Sequence, residues 1–97
     1  NPFSPSRMNQ LGGEGFVRIH CELPASARVS IAVYDFAMQR VKVLIEDVPV
    51  ETGTSEFVWN AKNGLNNQVA NGVYFIRMTT ENGAAQKTQW TKLIVLD

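Results

Sequence analysis

His20 is the only imidazole in the chain and Cys21 the only thiol, and the two are adjacent. A cysteine nucleophile needs a base within hydrogen-bond reach. Both residues fall in a run where Val17, Ile19, Cys21 and Leu23 alternate with Arg18, His20 and Glu22, the period of a half-buried strand. Successive side chains on a strand point to opposite faces, so Cys21 turns inward, His20 faces water, and the two cannot act on one atom. Cys21 reads as a small core hydrophobe. One histidine and one cysteine cannot complete the tetrahedral ligand set of a structural zinc site. Glu46 and Asp47 are neighbouring carboxylates, but adjacency is not the facing geometry that acid and base catalysis requires, and they read as a solvated turn. Residues 60–71 hold five asparagines and no carboxylate, so a calcium ion finds no charged oxygen there and asparagine's turn chemistry explains the segment. No glycine-rich loop opens a helix, which leaves nucleotide binding without support. The expectation is a noncatalytic chain with no cofactor and no metal.

The elements that would position any site are strands. Pro24 stops the first one, because proline cannot donate to a ladder. Val29, Ile31 and Val33 then alternate with Arg28, Ser30, Ala32 and Tyr34. So short a connection predicts that the first two strands are antiparallel neighbours. A third strand over 39–46 alternates imperfectly, through Val41, Val43, Leu44 and Ile45, which predicts a bulge or a change of sheet. Pro49 and Gly53 bracket a loop with room for a short edge strand, and Phe57 and Trp59 then share one face of a strand over 55–59. Strands over 73–80 and 86–96 flank Glu81-Asn82-Gly83-Ala84, where Asn-Gly is a strong hairpin signal. No helical period of ten residues or more occurs. The fold class predicted is all-β: an antiparallel immunoglobulin or fibronectin type III-like sandwich of six to seven strands. Its expected core is Ile19, Cys21, Leu23, Val29, Ile31, Val33, Val41, Leu44, Phe57, Trp59, Tyr74, Ile76, Met78, Leu93 and Val95.

The last hairpin decides what faces out. With Asn82-Gly83 at the centre of a type I′ turn, Glu81 faces Ala84, Arg77 faces Thr88 and Phe75 faces Trp90. Phe75 and Trp90 then form a cross-strand aromatic pair on the outer face. With Val73 and Phe3 nearby they make the candidate interaction patch, for an upstream domain of the same chain or a secretion or surface protein; the alternative is that Phe3 and the entry segment cover it within the same domain. A glycine-bulged turn would instead shift the register by one and turn Trp90 inward.

Composition bounds the rest. Ninety-seven residues make one domain over 1–97, with an extended lead-in over 1–14 that Pro2 and Pro5 stiffen. Nine basic and nine acidic residues leave a net charge of zero, so no overall field attracts nucleic acid or anionic lipid. A single cysteine excludes an internal disulfide, and apolar runs such as 93–96 are far too short to span a membrane. Asparagine rather than methionine at position 1 suggests a piece of a longer chain.

Several segments carry a resemblance in their order and spacing: Asn1-Pro2-Phe3-Ser4-Pro5-Ser6, Leu23-Pro24, Val33-Tyr34-Asp35, Val41, Leu44, Trp59, Val69-Ala70-Asn71-Gly72-Val73-Tyr74 and Lys92-Leu93-Ile94-Val95-Leu96. The chain resembles the immunoglobulin-like module of the flagellar hook-capping protein family, and is similar to the C-terminal sorting modules of type IX secretion cargo. The resemblance implies a noncatalytic C-terminal module of an exported bacterial protein, extracellular or at the cell surface, acting by protein contact in sorting, anchoring or domain packing. The alternatives are a flagellar hook-assembly domain and a carbohydrate-binding module. The chain departs from the family pattern where Met38 stands for the usual glycine after the second strand, and where the family's Trp-Asp-Gly becomes Trp59-Asn60-Ala61.

Overall fold

A computed structural model describes residues 2–3, 17–83 and 85–95. Among these residues seven strands follow one another: β1 (Pro2–Phe3), β2 (Val17–Leu23), β3 (Ala27–Tyr34), β4 (Arg40–Val50), β5 (Gly53–Trp59), β6 (Gly72–Asn82) and β7 (Ala85–Val95). They form an immunoglobulin-like sandwich of a five-stranded sheet, β1-β7-β6-β3-β4, and a two-stranded sheet, β2-β5. All pairings are antiparallel except β1 with β7. Among the described residues there is no helix long and apolar enough to cross a membrane. Most of the lead-in over 1–14 lies outside the described residues.

The predicted strand β2 is observed, but its predicted partner is not. Rather than pairing with β3, β2 pairs with β5, Val17 opposite Trp59 through Leu23 opposite Gly53, while β3 pairs with β4 and β6 in the other sheet. The short link over 24–26 is a corner between sheets. Ile19, Cys21 and Leu23 on one side and Val29, Ile31 and Val33 on the other are all buried in one core, so crossing from sheet to sheet lets both strands bury their apolar faces against each other. Every residue of the expected core is buried or packed against the buried cluster. Ala61, fully buried within the polar segment after β5, joins it without having been expected.

The irregular apolar spacing of β4 corresponds to register shifts along the β3–β4 ladder. Glu46 and Asp47 therefore lie within a bulged strand, not in the solvated turn expected of them. Asp47 has a φ of 53°; its N–H donates to Ser30 Oγ at 2.9 Å, and Arg28 Nε donates to its carboxylate at 2.7 Å. That bond, with the carboxylate's charge, raises the Arg28 guanidinium pKa. Pro49 also lies inside β4, tolerated because β4 is the sheet edge and one side of its backbone has no ladder to feed.

At both positions where the chain departs from the family's glycine, the backbone is left-handed: Met38 has a φ of 63° and Ala61 a φ of 60°. A side chain there costs roughly 1–2 kcal/mol through the clash of Cβ with the following carbonyl. Met38 is half exposed, so its side chain gives little back. Met38→Gly should raise stability by about 0.5–1 kcal/mol after glycine's own entropy is charged against it. Urea denaturation will check this, and an unchanged or lower midpoint counts against strain at that turn.

Candidate functional site

Cys21 is buried and His20 is exposed on opposite faces of β2. Burial pushes the Cys21 thiol pKa up, which makes the nucleophilic thiolate scarce. His20 lies 3.7 Å from the Glu56 carboxylate, which also pairs with Arg18 across the β2–β5 ladder. This is a solvated cross-strand group, with no nucleophile beside it. The 60–71 segment satisfies itself: Asn63 Oδ1 accepts from the Leu65 and Asn67 N–H groups at 2.9 and 3.0 Å, and Val69 N–H donates to the Ala61 carbonyl. Two side chains anchor its ends. Trp59 Nε1–H donates to the Lys62 carbonyl at 2.9 Å, and the Tyr74 hydroxyl donates to the Ala70 carbonyl at 2.6 Å, in the manner of the tyrosine corner of immunoglobulin-like domains. Burial, helped by the Asp35 charge, pushes the Tyr74 phenol pKa up. Among the described residues no group of three or more His, Cys, Asp or Glu side chains is placed to hold a metal ion.

The outer face of the five-stranded sheet carries the groups suited to contact. In the final hairpin Asn82 pairs with Ala85 and Arg77 with Trp90, while Phe75 pairs with Lys92. The predicted Phe75–Trp90 pairing is therefore corrected. Gly83, with a φ of 62°, and not Asn82, follows the last ladder pair, so the ladder is displaced by two residues in total from the predicted register. An even displacement leaves each side chain on its face, so Trp90 still points outward and is 48% exposed.

Its neighbours differ from those expected. The Trp90 indole reaches over β6 to Tyr34 on β3, with ring centroids 5.5 Å apart and planes tilted by 55°. Arg77 sits over both rings, its guanidinium carbon 5.0 Å from the Tyr34 centroid and 5.9 Å from that of Trp90. Such stacking holds a long cation in place at the surface. Phe75 and Val73 are half-buried on the same face. Phe3 falls at the register of Val95, a position of opposite parity to Val73, Phe75 and Trp90; its side chain lies outside the described residues. Tyr34 and Arg77 were missed from the sequence because alternation marks them only as outward. A sugar-stacking platform uses coplanar rings, and the tilt between Tyr34 and Trp90 does not provide one.

The profile of the family described as FlgD Ig-like domain matches residues 6–84. No curated protein matches the chain. Among solved structures, FlgD from P. aeruginosa is similar, with a TM-score of 0.66 and 24% identity over 81% of this chain. Latent PorU from Porphyromonas gingivalis gives a TM-score of 0.59 and 22% identity over 84% of this chain. PorZ from the same organism, a surface component of its type IX secretion system, gives 0.47 and 24% identity over 73% of this chain. The chain spans 60% of the length of that FlgD structure and 8% of PorU and of PorZ.

Proposed function

Since the chain belongs to the FlgD Ig-like domain family, we propose that it is a noncatalytic module of an exported bacterial protein, working by protein contact in sorting, surface anchoring or packing against a neighbouring domain. The observation that carries this reading is the cluster on the outer face of exposed Trp90 with half-buried Tyr34 and Arg77. Tryptophan, tyrosine and arginine are the residues that most often dominate binding energy at protein interfaces. Export is carried over from the resemblance to the C-terminal sorting modules of type IX secretion cargo; in the similar PorU structure a unit of this size covers 8% of the chain. Phe75 and Val73 flank the cluster and belong to the proposed contact face.

The test is the native gene carrying Trp90→Ala, with the protein followed by surface labelling and cell fractionation. The surface or medium fraction should fall about tenfold, the size of a ~1.4 kcal/mol hot-spot loss, at unchanged thermal midpoint. An unchanged distribution removes this face from the role, and wild-type protein retained inside the cell overturns export. A second reading, assembly at the flagellar hook, is favoured by the match to FlgD. It expects hook structures to be lost on deletion of the gene, an outcome the first reading does not produce.

A further inference from the structure

The outer face of the five-stranded sheet divides by charge. One rung across it runs Arg40, Tyr34, Phe75, Lys92, and the next runs Val43, Ala32, Arg77, Trp90. These two rungs hold three cations and no carboxylate; the carboxylate of this end, Asp35 in the turn after Tyr34, accepts the Gln39 N–H at 2.9 Å. The acids of the face lie at its other end, where Arg28 stands between Pro49 and Glu81 and bonds Asp47. From Tyr34 to Arg28 is six residues along β3, about 20 Å at a strand's rise. Among the described residues, Arg40, Arg77 and Lys92 have no salt bridge to a carboxylate. Two apolar groups open to solvent, Trp90 and Val43, share these rungs, and Phe36 and Met38 stand exposed in the turn that follows Tyr34.

We propose that this half of the outer face is a docking site for an acidic protein segment, whose carboxylates meet Arg40, Arg77 and Lys92 while an apolar side chain seats beside Trp90 and Val43. The proposal rests on the reading that the chain acts by protein contact, and names the chemistry of the partner. Charge complementarity selects the acid: in a chain of zero net charge, a group of three cations without salt-bridge partners among the described residues steers an anionic partner and sets its register. The apolar groups select a protein. A polysaccharide or nucleic acid brings charge without aliphatic side chains, and would leave Val43, Phe36 and Met38 uncovered.

The experiment follows Trp90 emission in the intact chain, with Trp90→Phe as the blank that carries only the buried Trp59. The probes are a short peptide of Glu, Asp and Leu, the same peptide with Lys replacing the acids, and polygalacturonate. The acidic peptide should change Trp90 emission saturably, with affinity falling steeply as salt is raised, because the screening length shortens from ~10 Å at 0.1 M to ~3 Å at 1 M. Arg40→Glu with Lys92→Glu should weaken it at least about tenfold at an unchanged thermal midpoint, because both residues are exposed and lie outside the ring stack. Equal response to the lysine peptide, or saturation by polygalacturonate alone, overturns the proposal. Silence toward the acidic peptide while acrylamide still quenches Trp90 overturns the acidic partner and leaves the contact reading standing. Trp90 shielded from acrylamide removes the open face, and both fall together.

Discussion

Replacing Trp59 with alanine is expected to cost about 3–5 kcal/mol, the largest loss from any single substitution considered for this chain. Trp59 is the largest fully buried side chain, 1% exposed, and its ring packs against Tyr74 with centroids 5.8 Å apart. Truncation removes that buried surface, opens a cavity between the sheets, and leaves the Lys62 carbonyl without its indole donor. A domain of this size has only about 5–15 kcal/mol in total, and each kcal/mol lost lowers the melting temperature by roughly 4–8 °C. Calorimetry on Trp59→Ala and Trp59→Phe will check this, with the phenylalanine variant keeping most of the apolar volume and losing much less. Because Trp59 and Tyr74 touch and anchor the two ends of the same loop, losses in Trp59→Ala and Tyr74→Phe should not add when combined. A loss under about 1 kcal/mol for Trp59→Ala would place the indole outside the core.

The second large effect belongs to Ile31. It lies on the interior strand β3 with no exposed surface, between Ile45 of β4 and Met78 of β6. Both flanking strands are laddered to β3, so the site can collapse only by bending the sheet, and the cavity stays. Ile31→Ala should cost roughly 2–5 kcal/mol and Ile31→Val roughly 0.5–1.5. Urea denaturation measures both. An alanine variant no worse than the valine one would mean that the core does not seat on this face of β3.

Alternation exposed the inward faces before any partner was known: Ile19, Cys21 and Leu23 on β2, and Val29, Ile31 and Val33 on β3, are buried as their period required. Pairing was less legible. A hairpin and a corner between sheets both need a short polar link and two amphipathic strands, so residues 24–26 could not show that β2 leaves for β5. What decides between them is the total apolar area buried by two sheets face to face, a property of the whole chain. The Asn82-Gly83 signal located the last turn but missed its centre by one residue. For the candidate site, Trp90 was legible as outward, since every register with an even displacement gives that face. Tyr34 and Arg77 were not, because the cluster forms only when an indole on β7 crosses β6 to reach β3. No pattern in one strand records such a reach. Ala61 was hidden for another reason: one methyl group in an asparagine-rich segment gives no periodic signal.

The short strand β1 has a mechanical consequence. Pro2 and Phe3 lie beside Ile94 and Val95 and run in the same direction. When tension is applied to the backbone before Pro2 and after Val95, the two strands are drawn past one another along their length. Hydrogen bonds loaded this way resist in parallel and must fail together, whereas a hairpin pulled open from its tips unzips one rung at a time. The first stress therefore meets the β1–β7 seam, and only after that seam slips does the pull reach the long β6–β7 ladder and the core behind it.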